Sequence, residues 1–293
     1  MNNEQKLVSD DYIIEKRIGN GSFGEVYLTI NKKTGEKVAS KIEERTKSTR
    51  LIDEYKIYTR MARKGFTTGV PKIHNFIQTP KCNIMVMELL GDNLEKIFGS
   101  MNKKFDLGTV LKIGTDVTKL LEDMHNAGYI HRDIKPTNFM MGTEDKKNQL
   151  YIMDFGLSKR YFDKNKHIPY RTDRSLIGTA RYASINVHMG LEPSRRDDLE
   201  SVAYMLIYFI KGSLPWQGLK KEDNVDHLES IGEVKLCTNT DKLCKGLPQC
   251  FKDYLEYCRK LRYEEKPDYK HLMNLFTEAA KEANVKIEYS WLN

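Results

Sequence analysis

The apolar residues of this 293-residue chain change their period once. Up to about residue 90 they sit in short stretches rich in β-branched and aromatic side chains; from Leu94 onward they recur every three to four residues. The first pattern suits strands and the second buries one stripe of a helix, so the order predicts an α+β chain with a small β-rich part followed by a larger, mainly helical one. Three strands are expected at Tyr12–Ile18, Glu25–Ile30 and Lys37–Ile42, with turns at Gly19–Gly24 and Asn31–Gly35. A helix then carries Leu51, Ile52, Tyr55, Tyr58 and Met61 on one face, and Ile84–Glu88 reads as a further strand. The expected division is residues 1–90, with a five-stranded sheet plus one helix, and residues 91–293, mainly helical, with the boundary near Gly91. In the second part Leu107–Ala127 has a clear helical stripe (107, 110, 111, 113, 117, 120, 121, 124) stopped by Gly128. Further helices are expected at Arg196–Ile210, Pro248–Leu261 and His271–Ala283. No repeat, low-complexity tract or Ser/Pro-rich linker interrupts the pattern.

Composition narrows the class of protein. Hydrophobic residues are 40% and charged residues 30% of the chain, which excludes wholesale disorder. The longest apolar run, Val202–Ile210, is too short to span a bilayer. The N-terminus has neither a secretory pattern nor a myristoylation glycine, so membrane insertion is not expected. Five cysteines without metal-ligand spacing read as reduced thiols, which points to the cytoplasm and leaves the nucleus open. The net charge of +7 has a local source: Lys159–Arg181 holds seven Lys/Arg against two Asp. Such a patch fits an acidic partner; no basic motif interleaved with aromatics supports nucleic-acid binding.

Four motifs carry chemistry. Gly19-x-Gly21-x-x-Gly24 is followed by a strand and not by a helix or by Lys-Ser/Thr, which excludes the dinucleotide and Walker A readings. It reads as a glycine hairpin whose backbone can lie over nucleotide phosphates. Lys41 on the third strand and Glu54, thirteen residues later on the helix, suit an ion pair that holds an ammonium against phosphates. His131-Arg132-Asp133-x-x-x-x-Asn138 arises by chance in on the order of 10⁻³ of such chains. Asp133 can accept the proton of an attacking hydroxyl, Lys135 can neutralise a moving phosphoryl group, and Asn138 offers an amide oxygen to a hard cation. Asp154-Phe155-Gly156, behind the apolar Tyr151-Ile152-Met153, puts a carboxylate at a strand end, where Mg²⁺ bridging phosphates would need it.

In this order the motifs resemble a eukaryotic protein kinase over about residues 12–285. Gly178–Asn186, Ser194–Ser201, Gly212–Leu219 and the hinge-like Met87-Glu88-Leu89-Leu90-Gly91 are similar to the casein kinase I family; the Ala-Pro-Glu of most kinases is absent. The resemblance implies a bilobal kinase fold and transfer of the ATP γ-phosphate to Ser or Thr of acidic or phospho-primed proteins, with Mg²⁺ on Asn138 and Asp154, by a monomeric enzyme. It implies adenine bonding to the backbone of Glu88 and Leu90, with Ile18, Val26, Ala39 and Met87 around the base and Gly19, Gly21, Gly24 and Lys41 at the phosphates. It also implies that Asp198 braces the catalytic loop, and that Arg181 with Gly218 binds a substrate anion. The stretch Leu219–His227 is acidic where the family is basic, so one anion ligand is expected to be missing or replaced by His227. Two rivals share the fold. A pseudokinase scaffold would have lost Lys41, Asp133 or Asp154, and a small-molecule phosphotransferase would lack the glycine hairpin and the long 155–186 segment.

Overall fold

The computed structural model describes residues 7–21, 24–45, 50–164, 166–219 and 227–292. Ser22 and Phe23 at the tip of the glycine hairpin lie outside the described residues. So does most of the acidic 219–227 stretch, residues 220–226. The chain forms two compact units: residues 1–92 with 140–156, and residues 93–139 with 157–293.

The first unit is built on one antiparallel sheet. Its strands are β1 (Leu7–Ser9), β2 (Tyr12–Gly21), β3 (Gly24–Asn31), β4 (Lys37–Glu44), β5 (Ile73–Gln78) and β6 (Cys82–Glu88). They run in the order β1-β2-β3-β4-β6-β5. The sheet has one strand more than expected, because the short β1 adds to the edge of β2 by pairing Leu7 with Ile13. Helix α1 (Arg50–Arg63) buries Leu51, Tyr58 and Met61 as its periodicity requires, and also Glu54, which no hydrophobic pattern would bury. The segment Met140–Gly156 belongs to this unit: the Ile152 N–H donates to the Gly69 carbonyl at 2.8 Å, and Lys146 and Tyr151 both bond the Glu88 carboxylate.

The second unit is mainly helical. Helix α2 (Leu94–Ser100) is followed by α3 (Leu107–Asn126), which is capped by the Asp106 side chain on Thr109 N–H at 2.9 Å and buries Val110, Leu111, Ile113, Val117, Leu120, Leu121 and Met124. Helix α5 (Arg195–Lys211) follows the one-turn α4 (Ile185–His188) and is buried on all sides from Leu199 to Phe209, which makes it the centre of the unit. Helices α6 (His227–Cys237), α7 (Thr240–Cys244), α8 (Gln249–Lys260) and α9 (Tyr269–Glu282) complete it. Among the described residues no helix is long and apolar enough to cross a membrane, and all five cysteines are unpaired.

Candidate active site

In the first unit the sheet register aligns the nucleotide-side candidates. Val26 pairs with Lys41, and Ala39 pairs with Leu28 on one side and Met87 on the other. Directly opposed residues share a face, so Val26, Ala39, Lys41 and Met87 line one side of the sheet. Ala39 and Met87 are buried there, whereas Ile18 is exposed and falls in the register shift between Arg17 and Gly19. Gly21 pairs with Gly24 at the end of the hairpin. A Cβ on Gly24 would clash with the Ile42 carbonyl oxygen, so β4 itself requires that glycine, whereas a Cβ on Gly19 would make only an ordinary contact, with Val26 Cβ at 4.0 Å. At the strand end the Glu88 N–H donates to the Lys72 carbonyl at 2.8 Å. Leu90 lies beyond β6, and its N–H and C=O have no partner among the described residues.

Three elements of this unit converge on one ammonium. Lys41 Nζ lies 2.7 Å from Glu54 Oε2 and 3.1 Å from Asp154 Oδ1. Burial alone would discharge Lys41, but the two carboxylates outweigh it and hold its pKa above the ordinary value. Asp154 has φ +64°, a left-handed conformation that a non-glycine residue adopts only under constraint.

The catalytic-loop candidates assemble in the second unit. Asp133 is buried, and both of its carboxylate oxygens are engaged. Oδ1 accepts from the N–H and hydroxyl of Thr179 at 2.9 and 2.8 Å. Oδ2 lies 2.7 Å from Lys135 Nζ. Asn138 donates from Nδ2 to the Asp133 carbonyl at 2.9 Å, which commits its nitrogen to the loop and leaves its oxygen as the acceptor end. Asp198, in the first turn of α5, accepts from the backbone N–H of His131 and Arg132 at 2.7 and 2.8 Å, while its Oδ2 also meets His125 Nε2 at 3.0 Å. Those bonds hold Arg132 at φ +68°, and a Cβ on the neighbouring Gly178 would lie 2.3 Å from the Arg132 carbonyl oxygen. Burial raises the pKa of Asp198, but the His125 hydrogen bond, the nearby histidines and the His131 N–H together bring it below the ordinary value.

Arg181 is half-buried, and its guanidinium lies 5.8 and 5.7 Å from the ring centroids of Tyr182 and Tyr208. Its carbonyl accepts from Trp216 Nε1 at 2.7 Å, and Gly218, two residues further on, is in the left-handed region at φ +70° with open space around it. His227, weighed as a substitute anion ligand, opens α6 and is exposed. Thr179 is the site residue that the sequence motifs did not single out. It lies 46 residues from Asp133, and nothing in its local pattern announces the contact.

A strand lysine paired to a helix glutamate, a D-F-G carboxylate beside it, and an H-R-D loop braced from beneath form the machinery of one enzyme class. The model of the protein kinase domain family matches residues 12–275. The chain belongs to the protein kinase family. It is therefore a phosphotransferase that binds ATP, its partners include protein substrates, and its fold is the bilobal kinase fold, with an antiparallel sheet in the first unit and helices in the second. Kinases in general use ATP with Mg²⁺. The donors here suit that ion: a carboxylate on Asp154 and an amide oxygen on Asn138 are hard oxygen ligands of the kind Mg²⁺ accepts alongside phosphates and water. Among the described residues no cluster of three or more His, Cys, Asp or Glu offers an all-protein cage, which is not what a phosphate-bound Mg²⁺ needs.

Proposed function

We propose that this kinase transfers the ATP γ-phosphate to Ser or Thr hydroxyls of acidic or phospho-primed proteins, in the manner of the casein kinase I family it resembles. The observation that carries this reading is the short path from Asp133 to Arg181. Thr179 bonds the Asp133 carboxylate, and Arg181 follows two residues later with its guanidinium over two tyrosine rings. The Thr179 carbonyl accepts from the N–H groups of Tyr182 and Ala183 at 2.9 and 3.0 Å, so this segment is a turn that keeps Arg181 close to the residue bonded to Asp133. A phosphate three residues upstream of the target hydroxyl lies within about 10 Å of it, and arginine binds such dianions through charge-assisted bonds.

In this reading Asp133 orients the substrate hydroxyl and takes its proton, and Lys135 stabilises the transferred group. Lys41, steadied by Glu54, holds the α- and β-phosphates. The adenine meets the backbone of Glu88 and Leu90, with Ile18, Val26, Ala39 and Met87 around it and Gly19, Gly21 and Gly24 over the phosphates. Asp154 and Asn138 would hold Mg²⁺, whose charge would neutralise the phosphate oxygens. The protein acts as a monomer in the cytoplasm, the nucleus being left open, with Gly218 beside the anion and without nucleic-acid binding.

The test is a set of paired peptides with and without phosphate at the −3 position. Arg181→Ala is expected to lower kcat/KM on the primed peptide about tenfold or more, with a change on the unprimed one of about threefold or less. Equal loss on both would remove the anion reading.

A further inference from the structure

Lys235 takes no part in the chemistry above, yet it is fully buried, at 0% exposure. A buried ammonium costs several kcal/mol unless its protons are bonded. Two of its protons go to backbone acceptors, the Ala180 carbonyl at 2.7 Å and the Ala183 carbonyl at 2.5 Å. His188 Nε2 lies 3.1 Å from the ammonium and 3.1 Å from the same Ala180 carbonyl, and accepts from Lys235 in the tautomer that carries its proton on Nδ1. The rings of Tyr204 and Trp216 face the charge, with centroids 5.0 and 5.1 Å away. Burial and the charge of Lys235 lower His188 to about 4, so the imidazole is neutral at physiological pH and can offer Nε2 as an acceptor. Burial also lowers Lys235 itself to about 7, but a neutral amine keeps two N–H donors, enough for both carbonyls.

The two carbonyls bracket Arg181 and Tyr182. The carbonyl between them, that of Arg181, is taken by Trp216 Nε1 at 2.7 Å. Donors from two side chains therefore fix three of the four carbonyls from Ala180 to Ala183, and with them the peptide planes on both sides of Arg181. The direction in which the guanidinium leaves the backbone depends on those planes.

We propose that Lys235 is a positioning residue for substrate selection, clamping the Ala180–Ala183 backbone so that Arg181 is presented to the anionic group of the peptide. The inference rests on the reading of Arg181 as the anion ligand. Lys235 touches neither ATP nor the reacting hydroxyl in this account, so its loss appears in peptide KM and not in kcat.

The experiment is steady-state kinetics on the full chain with primed and unprimed peptides, for the wild type, Lys235→Met and Trp216→Phe. Lys235→Met is expected to raise KM for the primed peptide about tenfold and for the unprimed peptide about threefold or less, with kcat and KM for ATP within about twofold. Trp216→Phe removes the Nε1–H together with part of the buried ring, leaves the Lys235 bonds to Ala180 and Ala183 available, and is expected to shift the primed KM in the same direction by about threefold. It decides the matter if the Met variant does not fold. Unchanged primed-to-unprimed ratios in the folded variants, or equal losses on both peptides, overturn the positioning role while leaving Arg181 in place. A wild-type kinase without preference for the primed peptide overturns the Arg181 reading and the proposal with it.

Discussion

The two units hold their functional side chains by different means. In the first, Lys41, Glu54 and Asp154 come from a strand, a helix and a turn, and what joins them is charge: one ammonium against two carboxylates at 2.7 and 3.1 Å. In the second, Asp133 takes two neutral donors from Thr179 on one oxygen and Lys135 on the other, and its loop is anchored by backbone N–H groups pointing at Asp198. A charge triad depends on every member remaining ionised and present. A backbone-anchored loop keeps its shape as long as the anchor remains. The first unit should therefore be brittle to changes of charge, and the second to loss of a single acceptor.

The largest effect is expected at the triad. Lys41→Met should lower turnover roughly 10²–10³-fold, as loss of a preorganised charge does. It should also cost about 3–5 kcal/mol of stability by leaving Glu54 buried without its partner. Lys41→Met/Glu54→Leu should recover most of that stability, read by urea denaturation, while activity stays low. If the double variant is no more stable than the single one, charge is not what holds the three elements together.

The next effect sharpens the contrast from the other side. Asp198→Asn removes an acceptor from the His131 and Arg132 N–H groups, at about 2–3 kcal/mol. Because the folded pKa of Asp198 lies below its ordinary value, the carboxylate stabilises the fold above about pH 4, and that contribution is lost as the pH falls further. The stability gap between wild type and variant should thus be complete at pH 7 and narrow below pH 4. A gap constant down to pH 2 would show that ionisation of Asp198 is irrelevant to its anchoring.

The smallest effect separates sheet packing from phosphate handling. Gly24→Ala should cost about 1–2 kcal/mol, because its Cβ would press on the Ile42 carbonyl of β4. Gly19→Ala, whose Cβ would make only an ordinary contact with Val26 Cβ, should change stability by about 0.5 kcal/mol or less. Equal thermal shifts would mean that the two glycines are kept for the same reason.

Local pattern made much of this legible, and distance hid the rest. Strands β2 to β4 and helices α1 and α3 announce themselves because alternation and the 3.6-residue stripe act within one element. β1 is three residues long, and β5 is an edge strand, Ile73–Gln78, whose apolar residues do not alternate cleanly, so neither stands out. H-R-D-x-x-x-x-N and D-F-G were readable because the chemistry demands fixed residues at fixed spacing. Thr179 was not, because its bond to Asp133 crosses 46 residues. Lys235 is the extreme case. A lysine in an eleven-residue helix reads as solvated, and only the arrival of Trp216, Tyr204 and two carbonyls from elsewhere makes its burial sensible.

One comparison reaches the centre of the account: transfer of labelled γ-phosphate from Mg·ATP to casein by the wild type and by Asp133→Asn. Since the asparagine can still accept from Thr179 but cannot take a proton, the rate should fall by about 10²–10⁴-fold while the KM for ATP changes by about threefold or less. Equal rates for the two proteins would contradict the assignment of Asp133 and the chemistry built on it.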